Sequence, residues 1–289
     1  MTATPIRRQP FSWAWLGLVP FFLFALAFLI VPAGALISGS FQDGDGNFTI
    51  KNFLDLAQPN ILSAYRLSIS ISAVTAVGGA ILGFLLAYAT ILGGLPRWMR
   101  VFLATFSGVA SNFAGLPLAF AFIATLGRTG LVTALLKTLF GIDLYDMGFS
   151  LYSFTGLSLT YIYFQFPLMV LVISPSIDGL RKEWKEAAEN LGASNWEYWR
   201  YIAFPVLLPS ILGASILLFG NAFGAYATAF GLTGGLLNLV TIVIGAQIRG
   251  DVLHNPGLGY AMAIGMVVIM AISLLGYSWL QRRSERWLR

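Results

Sequence analysis

The segment EWKEAAENLGASNWEYWR, residues 183–200, concentrates side chains that can form ion pairs. Only 10% of the 289 residues are charged, yet six charged side chains fall within this one stretch. Such groups are costly to bury in lipid unless they are paired, and they form charge-assisted hydrogen bonds with protein surfaces. The segment therefore predicts a docking surface for another protein outside the bilayer. Its charged residues are Glu183, Lys185, Glu186, Glu189, Glu197 and Arg200.

Catalytic and metal-binding constellations are missing from the sequence. The chain has no Cys, and His254 is its only His, which excludes a thiolate metal site, a catalytic thiol and a His-rich metal site. It also contains no GxxxxGK[ST] phosphate loop and no HExxH motif. We therefore expect no catalytic residue, no metal and no cofactor on this chain, which is not expected to be an enzyme.

The composition indicates an integral membrane protein. The chain is 57% hydrophobic, with a mean hydropathy of +0.79, whereas soluble domains are roughly 45–50% apolar and about 25% charged. The net charge of +5 is not clustered on a polar domain, so it does not predict binding of nucleic acid. Membrane lipid is the expected surrounding.

Six apolar stretches are long enough to cross a bilayer as helices. A hydrocarbon core about 30 Å thick requires about 20 residues at a rise of about 1.5 Å per residue. Strand-like alternation is nearly absent, so the sequence predicts an all-α membrane protein with six transmembrane helices. The predicted spans lie near 13–37, 62–92, 101–126, 151–177, 206–232 and 257–280.

Basic residues predict the orientation of these spans. With the N-terminus inside, twelve of the 17 Lys and Arg residues face the cytoplasm and five face outward, which agrees with the positive-inside rule. Arg7 and Arg8 could begin a signal peptide, but the apolar run at 13–37 exceeds the roughly 7–15 residues of a signal h-region. We predict an N-in/C-in chain with a cytoplasmic tail at 1–12, a retained first span at 13–37, an outer loop at 38–61, a five-helix core at 62–280 and a basic cytoplasmic tail at 281–289.

A polar connection at 178–205, which we call the elbow, joins the fourth and fifth spans. Its 28 residues greatly exceed the roughly 2–8 residues usual between helices of a bundle. Gly192 follows a first helix at the position where a left-handed residue can end it. Ser194 and Glu197 match a capping box that begins a second helix, which we expect to end at 204–205. The first helix has an apolar stripe made of Leu180, Trp184, Ala187, Ala188 and Leu191.

The elbow resembles the EAA loop found in permease subunits of binding-protein-dependent ABC importers. The EAA at 186–188, Gly192, Ile202 and Pro205 match the order of EAA, Gly, Ile and a Leu-Pro pair in that family. The loop also lies between the fourth and fifth of the six predicted spans, and its place in the order of spans agrees with the family. This agreement of motif and topology makes the resemblance specific.

Other parts of the chain are also similar to this family, and two positions of the elbow depart from it. LLAYA at 85–89 and GRTGLVTALL at 127–136 look like family segments, so the resemblance covers roughly 60–280. Phe204 stands where Leu is usual and Trp199 where Phe is common. Both substitutions keep a bulky apolar side chain, so neither argues against docking.

The resemblance implies an ATP-driven import mechanism. The elbow is expected to act as a coupling helix that docks into a separate ATPase subunit, which binds ATP and Mg and is present in two copies. A second permease, identical or homologous, and an extracytoplasmic solute-binding protein are the other implied partners, in a bacterial inner membrane. The most similar branch imports polyamines, thiamine, ferric iron or phosphonates. The docking residues implied are Glu186, Ala187, Ala188, Gly192, Ala193, Ser194 and Trp196.

Uncharged polar residues within the spans are candidates for the translocation pathway. No acidic or basic side chain lies deep inside a predicted span, whereas intramembrane charge usually marks an ion or proton path. An interhelical hydrogen bond is the alternative role for each polar candidate. The candidates are Asn221, Tyr226, Asn112, Gln165, Tyr161 and Tyr163.

Two functions from other classes are alternatives to an ABC permease. An ion-coupled secondary transporter without an ATPase would usually show intramembrane charge or an inverted repeat, and neither is apparent. An intramembrane enzyme would need a catalytic constellation, and none is present in the sequence.

A stripe of small residues follows the second predicted span at helical spacing. Small side chains allow the backbones of two membrane helices to approach closely, so we predict a tight helix pair there. The stripe comprises Ser68, Ser72, Ala76, Gly79, Gly83 and Ala87.

The predicted orientation can be tested by single-cysteine labelling, because the chain contains no Cys. With N-in/C-in topology, Asn47→Cys in the outer loop should react with an impermeant maleimide added from outside. Glu189→Cys in the elbow should react only after the membrane is permeabilised. Labelling of Asn47→Cys from the cytoplasmic side alone would overturn the topology.

Overall fold

The computed structural model describes residues 17–250 and 254–285, which form helices joined by turns and one isolated bridge between Gln42 and Phe48. The predicted tail at 1–12, the first four residues of the first predicted span and the last four of the basic tail lie outside the described residues. The helices are α1 Val19–Ala25, α2 Val31–Ser40, α3 Lys51–Leu54, α4 Pro59–Leu92, α5 Arg97–Asn112, α6 Gly115–Leu126, α7 Leu131–Phe140, α8 Phe154–Asp178, α9 Lys182–Asn190, α10 Asn195–Tyr198, α11 Phe204–Phe223, α12 Tyr226–Thr233, α13 Val240–Arg249 and α14 Pro256–Glu285.

Six helical stretches among the described residues are long and apolar enough to cross a membrane. The predicted all-α fold with six membrane-spanning helices is therefore confirmed, while the predicted orientation stays a prediction. The six stretches are Val19–Ser40, Pro59–Leu92, Gly115–Phe140, Phe154–Asp178, Asn195–Phe223 and Pro256–Gln281.

The third and fifth spans differ from the continuous helices that the sequence predicted. The stretch 101–126 is divided between α5 and α6, with an interruption at 113–114, and the apolar region continues through α7. The stretch 206–232 is divided between α11 and α12 at 224–225. Gly115 begins α6 with a φ of +74°, a left-handed conformation that glycine adopts at little cost. Because that conformation cannot continue a right-handed helix, the third span breaks there.

The second helix of the elbow runs directly into the fifth span. Its predicted end at 204–205 is wrong, because helix continues from Asn195 to Phe223. A π-helical turn at Trp199–Ala203 precedes Pro205, and the Phe204 N–H donates to the carbonyl of Trp199, five residues earlier. Proline clashes with the carbonyl four residues before it in an α-helix, and the wider π turn places that carbonyl differently. The first span has a similar π turn at Leu26–Ile30, just before Pro32.

The long helices α4 and α8 form the central pair of the bundle. All six residues of the small-residue stripe are buried. A Cβ atom added at Gly79 would lie 2.6 Å from the Cβ of Gln165, and one at Gly83 would overlap the carbonyl oxygen of Phe166. The backbones of α4 and α8 are therefore close enough to exclude even a methyl group, and the predicted tight pair is confirmed.

Replacement of the buried glycines provides a test of this packing. Gly83→Ala should lower stability by about 1–3 kcal/mol, the usual cost of overpacking a well-packed site. Gly78→Ala is the matched control, because its new Cβ meets only the flexible end of Ile162, at 3.2 Å, and alanine favours helix by about 1 kcal/mol over glycine. Thermal unfolding in detergent measures both variants. Equal melting temperatures for the two variants would contradict the close contact.

Candidate coupling elbow and pathway residues

The first helix of the elbow packs one side of its apolar stripe inward. Ala188 is buried in a small cluster with Tyr198 and Ala203, and Leu180 and Trp184 pack against this cluster. The other side of the predicted stripe remains exposed: Ala187 faces outward and Leu191 is 88% exposed. Half of the stripe therefore holds the elbow together, and the other half is available to a partner.

Gly192 ends this helix in the left-handed turn that the sequence predicted. Its φ is +84°, and a Cβ added there would meet nothing within 4 Å. Its N–H donates to the Glu189 carbonyl at 2.9 Å, and the Ala193 N–H donates to the Ala188 carbonyl at 3.0 Å. These two bonds form a Schellman motif. The requirement for glycine is therefore one of backbone conformation and not of space.

The predicted capping box begins the second elbow helix. The Ser194 side chain accepts a hydrogen bond from the Glu197 N–H at 3.3 Å, and the Glu197 carboxylate accepts one from the Ser194 N–H at 2.8 Å. Two otherwise unpaired backbone donors are thereby satisfied. The direction of the elbow is fixed by backbone–backbone hydrogen bonds at Gly192 and by backbone–side-chain hydrogen bonds between Ser194 and Glu197.

The seven residues predicted to dock are mostly on the surface. Glu186, Ala187, Gly192, Ser194 and Trp196 are exposed, Ala193 is half-buried, and Ala188 is buried. Lys185 and Glu189 approach each other at 3.8 Å, whereas Glu186 has no ion-pair partner among the described residues. A groove of about 580 Å³ lies beside it, lined by Trp184, Ala187, Ala188, Leu191, Ile202 and Val206. The surface thus combines an unpaired carboxylate with an apolar groove.

The interruptions at 113–114 and 224–225, which adjoin the third and fifth membrane-spanning stretches, lie next to each other. The N–H of Gly115, at the start of α6, donates to the hydroxyl of Thr228 in α12 at 2.8 Å. The hydroxyl of Tyr161, from α8, donates to the carbonyl of Ala225 at 2.8 Å. Side chains from neighbouring helices therefore satisfy backbone groups that the interruptions release.

Several predicted pathway residues surround these interruptions. Asn112 is the last residue of α5 and is exposed, with its amide bonded to the Gly108 carbonyl at 2.9 Å. Tyr163 contacts the ring of Phe113 edge-on, with centroids 6.4 Å apart. Tyr226 is the first residue of α12 and stacks on a later ring of the same helix. Tyr161, Tyr163, Tyr226 and Asn112 thus converge on one region of the bundle.

Asn221 and Gln165 have opposite environments. Asn221 is exposed and has no side-chain hydrogen bond to the described residues; it lines a groove of about 610 Å³ with Gly220, Met270 and Tyr277 among its neighbours. Gln165 is fully buried between α4 and α8, and its amide donates to the Thr75 hydroxyl at 3.1 Å. The position of Gln165 fits the alternative role of an interhelical hydrogen bond.

Sequence reasoning missed the residues that hold the interruptions, namely Gly115, Thr228 and Ala225. Gly115 and Pro117 together were a local signal for a break in the third span. Thr228 carried no signal, because its partner lies 113 residues away in the chain.

Comparison with known proteins identifies the family of this chain. The family described as "Binding-protein-dependent transport system inner membrane component" matches residues 79–288. A probable sulfate transport system permease protein, cysT, of Nephroselmis olivacea is 26% identical over 98% of this chain and 94% of that protein. A putative ferric transport system permease, FbpB 1, of Haemophilus influenzae is 23% identical over 89% of this chain, which spans 40% of that relative's length.

Solved structures show the same fold. A bacterial ABC transporter that imports the acidic polysaccharide alginate matches 93% of this chain and 95% of its own chain, with a TM-score of 0.72 and 17% identity. The relatives are permeases, which confirms the prediction of a transport subunit that is not itself an enzyme. The resemblance inferred from the EAA loop is also confirmed: this chain belongs to the family of binding-protein-dependent transport system inner membrane components.

Proposed function

We propose that this chain forms half of the translocation pathway of an ATP-driven importer in a bacterial inner membrane. The observation that carries the proposal is the elbow, a two-helix turn that presents Glu186 with no ion-pair partner among the described residues. An exposed carboxylate beside an apolar groove suits a protein surface that offers a cationic side chain and an apolar one. The occupant that fits this chemistry is an ATPase subunit, because the chain has no phosphate loop of its own.

The assembly we propose contains two ATPase copies, which hold ATP and Mg, and a second permease, identical or homologous. An extracytoplasmic binding protein delivers the solute. One related solved structure is a complex with a periplasmic protein carrying an alginate pentasaccharide, which supports the binding protein as a partner. Nucleotide-driven closure of the ATPases would move the two elbows and shift the bundles between inward- and outward-facing states.

The solute we propose is a small inorganic oxyanion, with sulfate as the first candidate. The cysT relative, which covers nearly the whole chain, is a probable sulfate permease, and a relative in Escherichia coli, 27% identical over 56% of this chain, is a molybdenum transport permease. Both names point away from polyamines, so the expectation of a polyamine gains no support. Uncharged donors at the helix interruptions could hydrogen-bond an oxyanion without holding it tightly.

The region where the two interruptions meet is our candidate for the pathway. Broken helices place backbone polar groups at membrane depth, and such groups are tolerated where they are buried in protein or line a water-filled cavity. Asn112, Asn221 and Tyr226 lie on the elements that form the interruptions. Gln165 is outside this set because its side chain is buried between α4 and α8.

Two substitutions in the elbow test the coupling role. Gly192→Val places a β-branched side chain at a position with left-handed backbone conformation, which costs about 1–2 kcal/mol of conformational free energy. We expect the backbone to shift in response and to redirect the second helix. Glu186→Lys places a like charge against the proposed cationic partner, which costs several kcal/mol at a buried interface. Both variants should reach the membrane but lose the ATPase subunit, or hydrolyse ATP with uptake per ATP reduced at least roughly tenfold.

Gly46→Val is the matched control for this experiment. Gly46 has a φ of +81° and open space around its Cβ position, like Gly192, but it lies in the loop between the first two spans. The control should therefore carry similar local strain and keep normal coupling. If Gly192→Val and Glu186→Lys both retain wild-type assembly and uptake per ATP, the elbow is a passive connector and the proposed function fails.

Cysteine accessibility tests the candidate pathway without knowledge of the solute. In the assembled complex, Asn112→Cys and Asn221→Cys should react with a hydrophilic maleimide at rates that change severalfold between the nucleotide-free state and a vanadate-trapped state. Gln165→Cys, which is polar in the wild type but buried, should remain unreactive in both states. Unchanged reactivity at both asparagine positions would exclude them from the pathway.

A further inference from the structure

The elbow is attached to the membrane bundle through two shared side chains. Leu180 and Trp199 pack against the elbow cluster of Ala188, Tyr198 and Ala203. The same two side chains also pack against the inner core formed by α4, α8 and α11. A displacement of the elbow must therefore either move this core or break these contacts, since packed interiors deform little.

Trp199 makes the aromatic part of this attachment. Its ring meets that of Tyr88 edge-on, with centroids 5.1 Å apart and planes at 79°, a favourable geometry for an aromatic pair. Trp199 also opens the π-helical turn, and its carbonyl accepts the N–H of Phe204. The residue thus lies at the junction of the elbow helix, the fifth span and α4.

Tyr88 lies near the end of α4 that faces the elbow. Beyond it, α4 ends at Leu92, and the chain turns through Gly94, with a φ of +69°, into α5. The guanidinium of Arg100 in α5 donates to the Ile91 carbonyl at 3.0 Å. This hydrogen bond links the end of α4 to α5, the helix that leads to the interruption at 113–114.

We infer that Trp199 is a positioning residue for coupling, and that its contact with Tyr88 transmits displacement of the elbow to the second span. The inference rests on the proposed function, in which an ATPase moves the elbow. It goes beyond docking because neither Trp199 nor Tyr88 is among the residues predicted to dock, which centre on Glu186 and Gly192. A hydrophobic anchor alone would stabilise the elbow without changing how hydrolysis is converted into movement.

A double-mutant cycle in the reconstituted complex tests this inference. The variants are Trp199→Leu, Tyr88→Leu and the double variant. The readouts are ATP hydrolysis, uptake of labelled sulfate per ATP, and the vanadate-induced change in the labelling rate of Asn112→Cys. Each single variant should still hydrolyse ATP. Its sulfate uptake per ATP, or its vanadate-induced change in labelling rate, should fall at least about threefold, in line with the strength of one aromatic pair.

Two further variants separate coupling from general packing. Tyr88→Phe keeps the ring and should keep coupling, since the hydroxyl has no hydrogen bond to the described residues. Phe53→Leu removes a comparably close aromatic pair in the loop before α4, where the ring of Phe53 in α3 lies 4.7 Å from that of Phe41. This variant should leave coupling normal. If Trp199→Leu fails to assemble, Tyr88→Leu decides the question alone.

The outcomes distinguish the inference from the function on which it rests. Equal losses in both single variants, with no further loss in the double variant, support a shared contact. Normal coupling in Tyr88→Leu, or losses that simply add, overturn the inference and leave the proposed function intact. A wild-type complex that shows neither sulfate uptake nor a labelling change contradicts the proposed function and the inference with it.

Discussion

A backbone group inside a bilayer must find its hydrogen-bond partner within the protein, and this constraint shapes the bundle. A continuous helix satisfies this constraint with its own hydrogen bonds, but the predicted third and fifth spans are interrupted at 113–114 and 224–225. The groups released there are bound by Thr228 and by Tyr161, which come from neighbouring elements. Both interruptions are therefore held by hydrogen bonds to other helices of the bundle.

The elbow obeys a different constraint, because water can satisfy its polar groups. Its direction is nevertheless fixed by hydrogen bonds from the backbone N–H groups of Gly192, Ala193 and Ser194. Schellman motifs and capping boxes occur at many helix ends, where they satisfy open backbone groups. In the function we propose, this fixed direction would let the elbow pass a displacement on to the fifth span.

The local features of the elbow and the helix content were predictable from sequence, while features that depend on distant partners were not. Gly192 and the Ser194–Glu197 box could be recognised because their hydrogen bonds join residues a few positions apart. The stripe on α4 could be recognised because its spacing is regular. The bond from Tyr161 to Ala225 spans 64 residues and has no sequence pattern. The continuation of the helix through Pro205 was not predicted, because proline normally clashes with the carbonyl four residues earlier. The π turn at Trp199–Ala203 relieves that clash, and no sequence pattern indicates such a turn.

The helix α4 packs at several depths of the bundle, and α8 runs beside it through the same two cores. Its 34 residues extend about 51 Å at 1.5 Å per residue. Near one end, Ser68 accepts a hydrogen bond from the N–H of Val240, the first residue of α13, at 2.9 Å. In its middle, Gly83 brings its backbone against α8, and near its other end Tyr88 meets the elbow. The small-residue stripe leaves little free space on the face of α4 that meets α8, whereas Val77, Ile81 and Leu85 on another face are exposed. In the function we propose, the close packing of this face is what would carry a displacement of the elbow along α4 and α8 towards the opposite side of the membrane.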